Sequence, residues 1–443
     1  MNKSDLSINT PINFQIVTEQ LDQSNITSIA QSSIRELVSL VNKIEKLSGQ
    51  SYIRMEMGVP GLPAPSIGIE AEIAALKNGV ASKYPMIEGI PSLKKEISRF
   101  CSLFLNIDVD EKGCFPTVGS AQGALATFLV GNRIRKEGAT LFIDPGFPNQ
   151  KRQLDMIGQS WGSFDVYQHR GSKLKRALET HLETGRYTTL LYSNPNNPAW
   201  ICFNDEELSI IAEVAERFDV IVIEDLAYFG MDYRNDYSVP GEAPYQPTIA
   251  KYTDNYVLLI SSSKVFSYAG QRIGSLVISN ALYNREFDNL SNYFGSTQYG
   301  KAITFGALHG LSSGVTHSTQ YGLSAMLKAA NDGTLPFLNL TKIYAERAEK
   351  IKKLFLKNGF EIVYSEDNGK ALSDGFYFTI AYPGMDGDSL LKNLLYFGVS
   401  AISLQNTGSD HVDGARACVS QIRDEQIITL KERLEAFSTR FNQ

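Results

Sequence analysis

Cysteine is scarce in this chain: Cys101, Cys114, Cys202 and Cys418 lie far apart among 443 residues, with no Cys-x-x-Cys pair. That spacing excludes a disulfide framework and a thiolate zinc centre, and leaves buried free thiols as the expectation. Histidine is equally thin, with five dispersed residues, so no metal site is expected. Long apolar runs are also missing. None approaches the ~20 residues needed to cross a bilayer, and Met1-Asn2-Lys3-Ser4-Asp5 leads into polar sequence without a signal-peptide core. A cytoplasmic protein with no membrane partner is therefore expected. Neither sign of charge dominates: 42 Lys plus Arg face 48 Asp plus Glu, for a net charge of −6. With no concentrated basic stripe, nucleic acid is not an expected partner.

What remains is an ordinary globular composition, long enough for two hydrophobic cores. Continuous apolar runs at 140–143, 188–192, 220–223 and 256–260 alternate with helical patterns. One of these helices is introduced by Asn204 with Glu207, the residues of a capping box. Such a rhythm predicts a mainly parallel sheet covered by helices on both faces, with ligands at the carboxyl ends of its strands. The polar motifs fall at those ends: Asp144-Pro145-Gly146-Phe147, Asn194-Pro195-Asn196-Asn197-Pro198, Glu224-Asp225 and Ser261-Ser262-Ser263-Lys264. Earlier, Ile34, Leu37, Val38, Val41, Ile44 and Leu47 recur at helical spacing up to Ser48-Gly49, and Pro91 opens another helix. Beyond about residue 310 a long helical stretch leads to Gly359, and runs at 375–380 and 399–402 read as strands of a smaller α+β domain. Residues 234–248, rich in Pro, Tyr and Gly, read as a surface excursion; residues 1–25 carry no legible pattern.

A lysine among hydroxyls at a strand mouth, followed eight positions later by Arg272, can hold a carbonyl cofactor as a Schiff base and grip its phosphate. Small residues at the helix start after Pro116, namely Ser120, Ala121 and Gln122, offer backbone N–H groups to the same phosphate. The order and spacing of these elements, together with Asp225-Leu226-Ala227-Tyr228 and the asparagine–proline motif, resemble the class I/II aminotransferases, fold type I pyridoxal-phosphate enzymes akin to aspartate aminotransferase. One departure stands out: the family's Thr-Gly after the second proline is Ala199-Trp200 here.

The resemblance implies a large cofactor domain over residues 61–310 and a small domain built from 1–60 and 311–443. It implies pyridoxal 5'-phosphate bound through Lys264, with Ser261, Ser263, Arg272 and the 120–122 turn around the phosphate. Asp225 would pair with the pyridine nitrogen, Tyr228 and Asn197 with the phenolic oxygen, and Phe147 would stack on the ring. Tyr84 would reach the phosphate of the neighbouring subunit in a homodimer with shared sites. Gly58 would line the substrate mouth, and Asn197 and Arg416 would hold the substrate carboxylate. The reaction implied is amino transfer between an amino acid and a 2-oxo acid, with Lys264, Asp225 and Tyr228 catalytic. A β-lyase or decarboxylase shares every one of these residues, and a non-catalytic cofactor-binding regulator is the remaining alternative. The donor and acceptor are not readable from the sequence.

Overall fold

A computed structural model describes residues 10–441. It divides into two compact units, and the polypeptide passes between them more than once. The larger comprises Leu62–Asn196 and Cys202–Thr341; the smaller comprises the described residues up to Gly61, Asn197–Ile201 and the described residues from Lys342 onward.

The larger unit is built on a seven-stranded sheet: β1 (Cys114–Thr117), β2 (Ala139–Asp144), β3 (Trp161–Asp165), β4 (Tyr187–Ser193), β5 (Ile221–Leu226), β6 (Tyr256–Ser261) and β7 (Gly274–Ile278). Their spatial order is β1-β7-β6-β5-β4-β2-β3. Strands β2 to β6 are mutually parallel, while β7 runs antiparallel to both β6 and β1. All six residues of β2, β5 and β6 are buried, as strands covered on both faces must be. The expected mainly parallel α/β sheet is thus present. The apolar runs did not reveal β1, β3 or β7. Strand β3 is only half-buried and contains Gly162 and Ser163, so its pattern is weak.

Helix ends follow their local chemistry. Asp205–Arg217 starts at a reciprocal Asn204–Glu207 capping box, and Ile34–Ser48 starts at Ser33–Glu36 and stops at Gly49, whose φ of +68° suits glycine. Pro91 occupies the first turn of Pro91–Phe100. In the region left unread, Phe14–Gln23 is a helix capped by Asn13.

The smaller unit holds a four-stranded antiparallel sheet with Tyr377–Ala381 and Ala415–Cys418 at its centre. It also holds helices Ile343–Lys357 and Gly387–Tyr396 and a core that includes Leu37, Val41, Ile351, Leu394 and Phe437. Residues 311–341, expected with this unit, lie in the larger one. Helix His317–Asn331 packs there against Ser66–Lys77 and Pro91–Phe100, and those contacts rather than the falling frequency of strands set the boundary.

Candidate active site

In the larger unit, β6 ends at Ser261, whose hydroxyl accepts the Ser263 N–H and starts the short helix Ser262–Val265 carrying Lys264. Ser262 donates to the Ile273 carbonyl at 2.5 Å, tying this turn to the approach to β7. Arg272, between them, has φ +51°. Its Nη2 lies 2.7 Å from where a Cβ on Gly119 would stand, and Gly119 itself has φ +66°. Only glycine meets both demands, close approach and left-handed backbone. Gly119–Gly131 is a helix, so Ser120, Ala121 and Gln122 lie in its first turn, where N–H groups have no intrahelical acceptor. The Gln122 side chain is engaged otherwise: its oxygen accepts the Val118 N–H and its nitrogen donates to Ser312, both at 2.8 Å. Its part in an anion cradle is therefore left to its backbone.

Asp225 sits near the end of β5, opposite Ser193 and Leu259 in the sheet, and is buried. Its Oδ2 accepts from Gln150 Nε2 at 2.8 Å and its Oδ1 from the Ala227 N–H at 3.1 Å. Among the described residues it has no cationic partner. Burial raises its carboxyl to about 6, against the lowering influence of those two donors. Two other buried carboxylates have cations: Asp144 pairs with Lys151, and Glu207 with Arg170 at 2.7 Å. Gln150 was not singled out from the sequence. The available signal was an amide one helical turn after the Phe147 loop, on the buried face of Pro148–Met156. Phe147 remains 37% exposed, and Tyr228 is buried. On the other face of β5, Glu224 receives Tyr192 Oη at 3.1 Å, Thr248 Oγ1 at 2.5 Å and the Ile249 N–H at 3.2 Å. Burial raises that carboxyl to about 7. Glu224 thereby anchors the end of the 234–248 excursion to the sheet. Tyr84 is 95% exposed on its chain.

In the smaller unit, Arg416 on Ala415–Cys418 is only 2% exposed. Its Nη1 donates to Asn197 Oδ1 at 3.1 Å and its Nη2 to the Glu56 carbonyl at 2.7 Å. The guanidinium carbon lies 4.3 Å from the centroid of the Tyr377 ring. The nearby Glu56 carboxylate is occupied by Arg54 Nε and Ser400 Oγ, each at 2.5 Å. Arg416 has no carboxylate partner among the described residues, and its Nε is buried without an acceptor. A buried guanidinium in that state is costly until an anion meets it. Gly58 belongs to the same cluster: a Cβ there would fall 1.8 Å from the Tyr377 hydroxyl. The fold thus gathers Gly58, Asn197 and Arg416 within the smaller unit. Lys264, Asp225, Arg272 and the 119–122 turn lie in the larger.

The profile of the aminotransferase class I and II family matches residues 56–369. The chain belongs to that family. It is 25% identical over 307 residues to a probable aspartate aminotransferase of Methanocaldococcus jannaschii, covering 69% of this chain and 73% of the relative. An aspartate aminotransferase of Pyrococcus horikoshii is 24% identical over 306 residues, again 69% and 73% of the two chains. The fold matches the crystal structure of Thermotoga maritima aspartate aminotransferase, with TM-score 0.73, 17% identity and coverage of 95% and 99%. It also matches an alanine aminotransferase from Pyrococcus furiosus, with TM-score 0.73, 19% identity and coverage of 93% and 98%. At those identities the structural likeness concerns the fold alone.

Aminotransferases of this fold depend on pyridoxal phosphate, and the residues present here fit it. The Arg272 guanidinium packed against Gly119, where a first helical turn offers N–H groups, suits a phosphate. A buried carboxylate with neutral donors and no cation suits a protonated pyridine nitrogen. Among the described residues no helix is long and apolar enough to cross a membrane.

Proposed function

We propose that this chain is an aminotransferase that moves an amino group between an amino acid and a 2-oxo acid, with pyridoxal phosphate held on Lys264. The observation that carries the reading is Asp225, buried and without a cation, on the strand adjacent to the one that leads into Lys264. Bound pyridoxal phosphate supplies an electron sink in conjugation with the substrate Cα. Asp225 would keep its pyridine nitrogen protonated, because a carboxylate deprived of water gains most from an adjacent cation. Tyr228 and Asn197 would donate to its phenolic oxygen, Phe147 would cover its ring, and Ser261, Ser263, Arg272 and the backbone of 120–122 would hold its phosphate. Lys264 would be the base that takes the substrate α-proton and the acid that gives a proton back. Arg416, with Gly58 lining the mouth, receives the substrate carboxylate through donors that Asn197 and Glu56 leave unused.

Borohydride reduction followed by peptide mapping tests the attachment. The label is expected on Lys264, and Lys264→Ala should lose about 10²-fold or more in turnover, the scale of a missing proton-transfer group. A label elsewhere, or normal turnover in the variant, overturns the assignment. A panel of L-aspartate, L-glutamate, L-alanine, L-methionine and L-tyrosine with 2-oxoglutarate and pyruvate then identifies the reaction. Amino transfer yields a new amino acid; β-elimination would release ammonia, and decarboxylation carbon dioxide.

The proposal includes a cytoplasmic homodimer in which Tyr84 serves the partner's phosphate, supported by the near-complete exposure of its ring and by four cysteines outside any disulfide. Mixed dimers of Tyr84→Phe and Lys264→Ala chains should concentrate both defects in one site and leave the other intact. If Tyr84 acts within its own subunit, each site carries one defect and no healthy site appears.

A further inference from the structure

Trp200 occupies the position at which the family motif has glycine. It is 1% exposed and has φ +62°, a left-handed backbone that a bulky residue keeps only where its surroundings enforce it. The smaller unit supplies that enforcement. Gly375 leaves space for the indole, since a Cβ there would lie 2.1 Å from it. Tyr377 closes another side, its ring 6.0 Å from the indole and inclined at 70°. The hydroxyl end of Tyr377 fills the space that the missing side chain of Gly58 leaves, and its face carries the Arg416 guanidinium.

We propose that Trp200 is a positioning residue for carboxylate recognition: wedged against Tyr377, it holds that ring on the Arg416 guanidinium and fixes the plane of the guanidinium's remaining donors. The inference rests on the reading of Arg416 as the carboxylate clamp. Asn197 and the Glu56 carbonyl each use one N–H, one on either Nη, so three of the five donors remain, including Nε. Two in-plane hydrogen bonds and one stacked face leave the fork little freedom. A fork already oriented loses less entropy when it pairs with a carboxylate. Of these supports, the Tyr377 ring is the one held by packing rather than by a hydrogen bond to Arg416, and Trp200 is part of that packing. A glycine at 200 would suit the backbone and remove the wedge.

The test uses the cofactor-loaded enzyme, the most active amino acid of the panel above and the corresponding decarboxylated amine. Trp200→Gly is expected to raise KM for the amino acid on the order of tenfold, the scale of a small misplacement. The larger share of the change should fall in KM rather than kcat, KM for the amine should stay put, and Trp200→Phe should recover part of the loss. If Trp200→Gly does not fold, Tyr377→Leu carries the same expectation. An unchanged KM in the variant that folds, or a fall confined to kcat, overturns the proposal. Arg416→Lys separates the two failures. If it raises KM while the Trp200 and Tyr377 variants do not, the clamp stands and the wedge falls. If it leaves KM unchanged, the clamp reading falls and the proposal falls with it.

Discussion

The two units each bury a charge that their own residues leave unmatched, and the charges are opposite. In the larger unit Asp225 is a carboxylate met, among the described residues, by an amide and a backbone N–H. In the smaller unit Arg416 is a guanidinium met, among the described residues, by an amide oxygen, a carbonyl and an aromatic face. Other buried charges have an opposite partner, as with Glu207 and Arg170 or Glu56 and Arg54, or are met by neutral groups, as with Glu224 and with Arg433, which donates to the Gly398 and Ser51 carbonyls. A buried charge without its opposite destabilises the fold unless neutral partners or a ligand's counter-charge offset it, and Arg416 keeps a buried Nε with no acceptor among the described residues. In the proposed function Asp225 would meet a pyridine nitrogen and Arg416 a substrate carboxylate.

The largest expected effect of unbalancing this arrangement is on turnover. Asp225→Asn should still bind the cofactor but lose roughly 10²-fold or more in kcat, since a neutral amide no longer favours the protonated ring. Undiminished kcat with intact cofactor absorbance would remove Asp225 from its role. At the other pole, Arg416→Ala should weaken amino-acid binding by about 2 to 5 kcal/mol, at least tenfold in apparent affinity. The corresponding amine should be affected little. Loss of cofactor in place of substrate affinity would mean that Arg416 is not the clamp.

The smallest effect is on stability and has a defined sign. Burial raises the Asp225 carboxyl from 3.8 to about 6 in the folded protein. Its stabilising contribution, that of the proton-bound form, is fully present below pH ~4 and is lost as pH rises through about 6. In cofactor-free protein, Asp225→Asn should therefore gain apparent Tm relative to wild type as pH goes from 4.5 to 7.5, by a few degrees for about 1 to 3 kcal/mol. A difference that stays flat with pH would show that Asp225 has another partner in solution. Loading wild type with cofactor should shrink the gap, because the ring nitrogen supplies the missing cation.

Much of this was legible in the chain. Strands β2, β4, β5 and β6 announce themselves as continuous apolar runs, and the Asn204–Glu207 and Pro91 helix starts follow from side-chain chemistry at single positions. The motif residues could be placed because they sit directly at the ends of those runs. Gln150 could not, because nothing in its neighbourhood says that its amide will meet a carboxylate 75 positions away. Nor could the seating of residues 311–341, since the apolar stripe of His317–Asn331 does not say which neighbour will cover it.

Local order in the chain was enough for the sheet's parallel core, the lysine turn and the identity of the family, because strand period, capping chemistry and motif spacing act over a few residues. Whether a charge has a partner is a different kind of fact. Motif resemblance singles out Arg416 and Asp225, but not that packing withdraws water from them and leaves them without an opposite charge among the described residues. Trp200 stands out in the sequence only as a departure from the family motif, and its left-handed backbone and its contact with Tyr377 arise only because Gly375, far along the chain, leaves room for the indole. Burial, counter-charge and steric fit depend on residues distant in sequence, so they were decided only when the chain folded.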